Sequence, residues 1–178
     1  MEDIRSSNDN SSNLKDLDYT KISYKNKNEI IDILKKLMEI TKLIEEWSVN
    51  NVQLNQTVMS KSVIKDRSQT AIHEILLKIY AIASDIKTKI NNIEYEEKEE
   101  LILLSETFEL INSAVEMFEK EYSLKETIVS DILNRILKKD EIETNYALLS
   151  NEPYINYEEL TMNLKQKNEI CQILIKSS

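Results

Sequence analysis

The sequence of 178 residues contains no glycine and a single proline, Pro153. Glycine supplies the positive φ angles of tight hairpin turns and the close backbone approach of phosphate-binding and dinucleotide-binding loops. The remaining composition, with 31% charged and 41% hydrophobic residues, is typical of long helices and coiled coils. We therefore predict an all-α protein, an elongated antiparallel helical bundle or coiled coil of three to four helices, with a disordered N-terminal tail.

The first predicted helix carries apolar residues at alternating intervals of three and four, which is the repeat of a coiled-coil seam. Trp47, the only tryptophan, falls on this seam, so we predict that it is a packing residue rather than a binding-site aromatic. Asn51 is the next seam position and is expected to fix the helix register. Whether the helix bends at Ser48 to Asn51 or runs through stays open. The predicted seam consists of Ile30, Ile33, Leu37, Ile40, Ile44, Trp47, Asn51, Leu54 and Val58.

Two further seams predict a second and a third helix. The second consists of Ile72, Leu76, Ile79, Ala83, Ile86, Ile90 and Ile93, and the third of Leu101, Leu104, Phe108, Ile111, Val115, Phe118, Tyr122, Lys125, Val129, Ile132 and Ile136. An uninterrupted third helix over residues 98–139 would be roughly 60 Å long. Lys125 alone interrupts its apolar seam, so Lys125→Leu is expected to stabilise the seam while loosening partner choice.

The sequence divides into three regions. Residues 1–27 are polar, rich in serine, asparagine, aspartate and lysine, and are predicted to be a disordered tail. Whether that tail holds a binding motif stays open. Residues 28–150 form the main helical coiled-coil region. Residues 151–178 form a terminal helix after a turn that contains Pro153, with Tyr157, Leu160, Leu164, Cys171 and Leu174 at heptad spacing and Lys167 among them.

Several classes of function are disfavoured by the sequence. The net charge of −9 and the lack of a basic cluster argue against nucleic-acid binding. No apolar run approaches the length of a membrane span, so no membrane insertion is expected. The only histidine, His73, has no metal-ligating residue at helical spacing, and the acidic run over residues 94–100 is expected to be a solvated helix start. We expect no enzyme activity, cofactor, metal site or small-molecule substrate.

The third helix is predicted to be much longer than the others, so helices of this chain can cover its seam only partly. We expect partner chains to bury the excess, with other coiled-coil subunits binding through the heptad seams. The predicted function is that of a non-catalytic coiled-coil subunit of a stable multiprotein assembly. The expected packing and interface residues are Ile40, Ile44, Trp47, Asn51, Leu54, Leu101, Leu104, Phe108, Ile111, Val115, Phe118 and Tyr122.

The stretch "LMEITKLIEEW", residues 37–47, resembles the opening helix of the small helical subunit in the shoulder of dynactin. In that family a short heptad segment ends in an acidic-Arg-Trp motif, whereas Glu46 stands at the Arg position here and Ser48, Val49 and Asn50 replace an aromatic residue and a glycine. The order of elements is also similar, with "KIYAIASDIKTKI" in the second helix and a long third helix. Leu43, Ile44 and Trp47 carry over as packing positions.

The resemblance implies a subunit that helps to tie the projecting arm of dynactin to its filament. Such a subunit supports dynein-driven microtubule motility and spindle or nuclear positioning, and would lie in the cytoplasm in association with the cytoskeleton. One alternative is a small coiled-coil subunit of a kinetochore, Mediator or endosomal tethering complex, for which a nuclear location is possible. A second alternative is a membrane-trafficking adaptor or SNARE-like helix.

Overall fold

The structure, a computed structural model, describes residues 18–60, 67–134 and 136–177. Within these ranges a 3₁₀ turn at Tyr19–Lys21 is followed by five α-helices: α1 (Tyr24–Met59), α2 (Arg67–Asn92), α3 (Lys98–Asn134), α4 (Lys139–Asn151) and α5 (Tyr157–Lys176). The prediction of an all-α protein is confirmed, although the helices number five rather than three to four. The predicted tail lies outside the described residues up to position 17, whereas residues 18–27 form the 3₁₀ turn and the start of α1.

The helices form an up-down-up-down bundle of four legs, the last of which is broken in two. Helix α2 contacts both α1 and α3, and α1 and α3 run parallel to each other. Helices α4 and α5 together run back along α1. The Tyr146 hydroxyl of α4 donates to the Val58 carbonyl oxygen at 3.1 Å, and Lys27 Nζ at the other end of α1 donates to Ser177 Oγ at 3.0 Å.

The seams of α1 and α2 lie in the core. All of the seam residues predicted for the second helix are buried, and so are those predicted for α1 except Ile44, which is half-buried next to a buried Leu43. Helix α1 is continuous through Ser48 to Asn51, because the polar residues there occupy ordinary helical positions and Asn51 faces the interior. The Asn-rich stretch is therefore not a break in the helix.

The buried face of α3 differs from the predicted seam by one residue in every heptad. Leu104, Ile111, Phe118 and Lys125 are buried as expected, but the other seam position holds Glu100, Thr107, Ala114, Glu121 and Ile128. The apolar neighbours chosen by the prediction lie at the flank: Phe108, Val115 and Tyr122 are half-buried, Val129 is buried, and Leu101 is 47% exposed. Polar residues can occupy the interior here because they have hydrogen-bond partners: Thr107 donates to the Leu103 carbonyl oxygen of α3 itself, and Glu100 and Glu121 accept from Asn26 and from the Tyr154 N–H.

Helix α3 is also shorter than predicted, and with 37 residues it is about as long as the 36-residue α1, so the expectation of a third helix much longer than the others is wrong. It ends at Asn134, which makes it roughly 55 Å long, and α4 begins as a separate helix at Lys139. Ile136, predicted as a seam residue, is fully exposed between them. The backbone N–H of Lys138 donates to Glu141 Oε2 at 2.8 Å, a capping contact that starts α4. The fourth leg therefore begins well before Pro153.

Candidate functional site: a buried ionic network at the break in the fourth leg

Lys125 is 2% exposed and lies at the level where the fourth leg breaks. Its Nζ atom donates to Asn51 Oδ1 at 2.6 Å and to the Leu149 carbonyl oxygen at 3.1 Å. The same atom lies 3.2 Å from Glu152 Oε2 and 3.4 Å from Glu121 Oε1. These four side chains, Asn51, Glu121, Lys125 and Glu152, are called the Lys125 network below. They join α1, α3 and the α4–α5 link in the interior.

Glu152 has a left-handed backbone conformation, with φ 47° and ψ 62°, immediately after α4. Helices commonly end in this conformation at a glycine or asparagine, and for other residues it costs about 1–2 kcal/mol. The carboxylate of Glu152 offsets this cost, since Oε2 accepts from Trp47 Nε1 at 2.6 Å and Oε1 accepts from the Tyr157 hydroxyl at 2.7 Å. A turn from Glu152 to Ile155, with Pro153 second, then leads into α5. The side chain thus holds the break in place.

Apolar aromatic residues enclose the network. Trp47 and Phe118 are both fully buried, and their rings meet edge to face with centroids 4.9 Å apart. Such a wall lowers the local dielectric, which strengthens the ionic contacts and raises the cost of any charge left unpaired. Trp47 therefore has two roles, as a packing residue and as a hydrogen-bond donor to Glu152.

The environment shifts two pKa values within this region. Burial raises the pKa of Glu121, with the Glu152 carboxylate adding to the shift and the hydrogen bond from Tyr154 N and the charge of Lys125 opposing it. Burial, followed by the negative charge of Glu152, also raises the pKa of the Tyr157 hydroxyl. Tyr157 therefore stays protonated and remains a donor to Glu152.

The network reverses the expectation for Lys125. The sequence predicts that Lys125→Leu stabilises the seam, but in the structure the ammonium group neutralises buried carboxylate and satisfies two oxygen acceptors. Removing one partner of a buried ion pair leaves an uncompensated charge in the interior. We therefore expect Lys125 substitutions to destabilise the fold.

A second buried carboxylate lies at the other end of α1. Glu100 is fully buried and accepts hydrogen bonds from Ser23 N at 2.8 Å, Asn26 Nδ2 at 2.8 Å and Glu96 N at 2.9 Å. Burial alone would raise the pKa of Glu100, but these hydrogen bonds together outweigh it and lower the pKa to about 2. The expectation of a fully solvated acidic run is therefore wrong at Glu100, although residues 94–98 are exposed.

The predicted packing residues fall into three groups. The structure buries Ile40, Trp47, Asn51, Leu54, Leu104, Ile111 and Phe118, half-buries Ile44, Phe108, Val115 and Tyr122, and exposes Leu101. It brings Trp47, Asn51 and Phe118 together around Lys125. The prediction missed Glu100, Glu121 and Glu152, and it included Tyr157 only as a heptad position of the terminal helix. A signal existed for two of the missed residues, since Glu121 lies four residues before Lys125 and Glu152 precedes the only proline.

Other reactive side chains are placed outside the network. His73 is exposed on α2, with Nδ1 2.9 Å from the Tyr122 hydroxyl, which in turn donates to Glu126 Oε1 at 2.8 Å. Cys171 is buried in α5, and burial raises the pKa of its thiol. Within residues 18–60, 67–134 and 136–177, no group of three or more histidine, cysteine or carboxylate side chains has the arrangement of a metal site. None of the helices described combines the length and apolar character that a membrane crossing requires.

Comparison with known proteins gives no further assignment. No protein-family model, no curated protein and no solved structure matches this chain.

Proposed function

We propose that this chain is a non-catalytic helical subunit of a multiprotein assembly. The observation that carries the proposal is the use of its interior ionisable groups: Lys125, Glu121, Glu152 and Glu100 are buried and directed at one another or at backbone and side-chain groups of the same chain. Ionisable groups enclosed in this way cannot contact a substrate in solution. They fix the relative positions of the helices, which is the property that a scaffold requires.

The proposed surface for a partner lies on the outer side of α1. Val49, Val52, Gln56 and Met59, here called the outer α1 stripe, follow one another at intervals of three, four and three residues. The three apolar members are 58%, 53% and 62% exposed. This spacing is a short second heptad seam on the side of α1 that faces away from the core. We propose that its occupant is an amphipathic helix of a partner protein that presents an apolar heptad face.

Among multiprotein assemblies, the resemblance of residues 37–47 to the small shoulder subunit supports dynactin as the assembly. Since Trp47 is buried in its own bundle and bonded to Glu152, its proposed role is to stabilise the subunit. The outer α1 stripe begins two residues later and would supply the contact to the partner. In this proposal the chain helps to connect the projecting arm of dynactin to its filament and so supports dynein-driven transport.

Affinity purification of the full chain, followed by mass spectrometry, tests the proposal. The variant V52D/M59D places two charges on the outer α1 stripe without touching the core. The control L77D/M162D places two charges at exposed apolar positions of α2 and α5, where Leu77 is 52% and Met162 is 62% exposed. Circular dichroism should show equal helix content in both variants and the wild type. We expect the wild type and the control to recover the same partners, and V52D/M59D to lose them.

The identity of the recovered proteins tests the finer proposal. Recovery of the actin-related filament and the large coiled-coil arm subunit would support dynactin. Recovery of centromere, transcription or endosomal tethering proteins would overturn dynactin and retain the assembly subunit. If no protein is recovered in a stoichiometric amount, or if L77D/M162D loses the partners as well, the proposed subunit role or its binding surface is wrong.

A further inference from the structure

The Lys125 network contains one ammonium group and two carboxyl groups in an enclosed space. A lysine ammonium has three N–H donors. Lys125 Nζ uses two of them, donating to Asn51 Oδ1 at 2.6 Å and to the Leu149 carbonyl oxygen at 3.1 Å. The third donor is left for two carboxyl groups, since Glu152 Oε2 lies 3.2 Å and Glu121 Oε1 lies 3.4 Å from Nζ.

The two oxygens of Glu121 have unequal surroundings. Its Oε2 atom accepts from the backbone N–H of Tyr154 at 3.0 Å. Its Oε1 atom is fully buried, lies 3.4 Å from Lys125 Nζ and receives no hydrogen bond from the part of the chain that is described. The Glu152 carboxylate, by contrast, receives hydrogen bonds from Trp47 and Tyr157 in addition to the contact with Lys125. Glu152 is thus much better suited than Glu121 to carry the negative charge.

Charge balance leads to the same assignment. If both carboxyl groups were ionised, the enclosed network would bear a net negative charge, and an unpaired buried charge is far more costly than a neutral polar group. Two carboxyl groups at one site commonly share a single charge, because the first ionisation opposes the second. We infer that Glu121 carries a bound proton in the folded chain at neutral pH, so that the α4–α5 link is a latch that depends on this proton.

The groups that face Glu121 from each neighbouring element are consistent with a single titrating site. From α3 itself the charged neighbour is Lys125, and from the link it is Glu152, with Tyr154 contributing its backbone N–H. From α5, Tyr157 lies close enough for its hydroxyl to interact with Glu121. From α1, the network residues Trp47 and Asn51 do not titrate. On α2, His73 contacts Tyr122 instead.

The sign of the pH effect follows from which state binds the proton. A Glu121 that is protonated in the folded chain and ionised in the unfolded chain makes the folded state bind one more proton. The contribution of Glu121 to the folding equilibrium is then fully present below the unfolded pKa of glutamate, about 4.3, and falls about tenfold per pH unit until the folded-state pKa of Glu121 is passed. Deprotonation above that point leaves Tyr154 N–H bonded to a charged but poorly neutralised carboxylate, which favours opening of the link.

Carbon-13 NMR of the full chain tests the inference directly. The side-chain carboxyl resonance of Glu121 is identified by its disappearance in Glu121→Gln, and its chemical shift is followed from pH 3 to 9. We expect it to keep the shift of a protonated carboxyl through pH 7. Titration of this resonance near about 4.3, the ordinary pKa of glutamate, would overturn the inference.

Urea unfolding of Glu121→Gln and Glu152→Gln provides the second test. Glutamine reproduces a neutral carboxyl, so Glu121→Gln should be at least as stable as the wild type at pH 7 and should lack the tenfold loss per pH unit. Glu152→Gln removes the charge that pairs with Lys125 and should be less stable than the wild type at pH 7. Equal losses of stability in the two variants at pH 7 would show that Glu121 is ionised, and would overturn the latch.

Discussion

Replacing Lys125 with methionine should destabilise the folded chain by about 3–5 kcal/mol, the usual cost of breaking a buried ion pair by removing one partner. Methionine is close in length to the lysine stem, so little apolar contact is lost. The ammonium group is lost, which leaves the Glu152 carboxylate without a counter-charge and removes the donor to Asn51 Oδ1 and Leu149 O. Because folded domains are stable by about 5–15 kcal/mol in total, such a loss is large.

Urea unfolding followed by tryptophan fluorescence is a suitable assay, because the only tryptophan of the chain, Trp47, lies against Glu152 and Phe118. The midpoint should fall while the slope of the transition stays constant, which would show that stability and not the size of the cooperative unit has changed. The double variant K125M/E152Q removes both charges and should recover part of the loss, with a coupling energy of about 0.5–3 kcal/mol.

Lys120→Met is the matched control for this prediction. Lys120 is on the same helix, but it is exposed and pairs with the exposed Glu116 one turn earlier, so its replacement should change stability by about 0.5 kcal/mol or less. If K125M were as stable as K120M, the ion pairs would contribute no net stability. The interpretation from sequence alone, in which Lys125 weakens an otherwise apolar seam, would then be correct.

Three further predictions concern single residues. Phe118→Ala should lower the free energy of unfolding by about 3–5 kcal/mol because the ring is fully buried, and Phe108→Ala should lower it clearly less because that ring is half-buried. Thermal unfolding that reverses this order would contradict the placement of α3. Because the pKa of Glu100 is lowered from 4.5 to about 2, its ionised side chain should add about 3 kcal/mol to the free energy of unfolding above pH 4.5, and this gain should be lost as the pH falls towards 2. A stability difference between the wild type and Glu100→Gln that is constant from pH 7 to pH 2 would exclude this. Trp47→Phe should lower the free energy of unfolding by about 1–3 kcal/mol, measured by circular dichroism, because it removes a hydrogen-bond donor from buried Glu152. Wild-type stability of this variant would exclude a role for that hydrogen bond.

The sequence predicts α1 and α2 well because apolar side chains occupy both heptad positions there, with Asn51 of α1 as the exception. In α2 the residues from Ile72 to Ile93 leave no competing apolar face, so the periodicity has one solution. The lack of glycine and the single proline likewise favour long helices, as found. The heptad pattern predicts the buried face of a helix correctly where the buried positions are also the apolar ones.

Helix α3 shows where the same reasoning fails. At each of Glu100, Thr107 and Glu121 a larger apolar residue follows directly, and the pattern assigns that neighbour to the core. Thr107 donates to the Leu103 carbonyl oxygen one turn earlier in α3. Glu100 and Glu121 instead can be buried because partners come from elsewhere: Ser23 and Asn26 are 77 and 74 positions from Glu100, and Tyr154 is 33 positions from Glu121. Such partners follow from the tertiary arrangement, which heptad spacing does not specify.

The break at Glu152 was predictable only in part. Pro153 indicates that the helix ends nearby. A left-handed residue is normally identified by glycine or asparagine, and this chain uses glutamate. The left-handed conformation of Glu152 is stabilised because its carboxylate contacts Trp47, Tyr157 and Lys125. None of these contacts is visible in the local sequence.

The buried polar contacts also explain how a chain of repeated isoleucine and leucine heptads selects one register. A slip of α3 along α1 by one heptad would move apolar residues onto apolar residues and change the buried area little. The polar pairs Asn26–Glu100 and Asn51–Lys125 do not tolerate this slip. Both pairs are separated by 74 positions, so they hold the two helices in one register at two levels that lie roughly 37 Å apart.

Any slip of α3 would leave Glu100, Lys125 and their partners unpaired at the same time. Each buried group left without a partner costs about 1–3 kcal/mol, and more when it is charged. The apolar heptads therefore provide most of the driving force for the bundle, whereas the two polar levels decide which of several nearly equivalent alignments is formed. A scaffold assembled from heptads depends on this second property, because a partner helix can bind a fixed position only if the helix that carries its binding site is itself fixed.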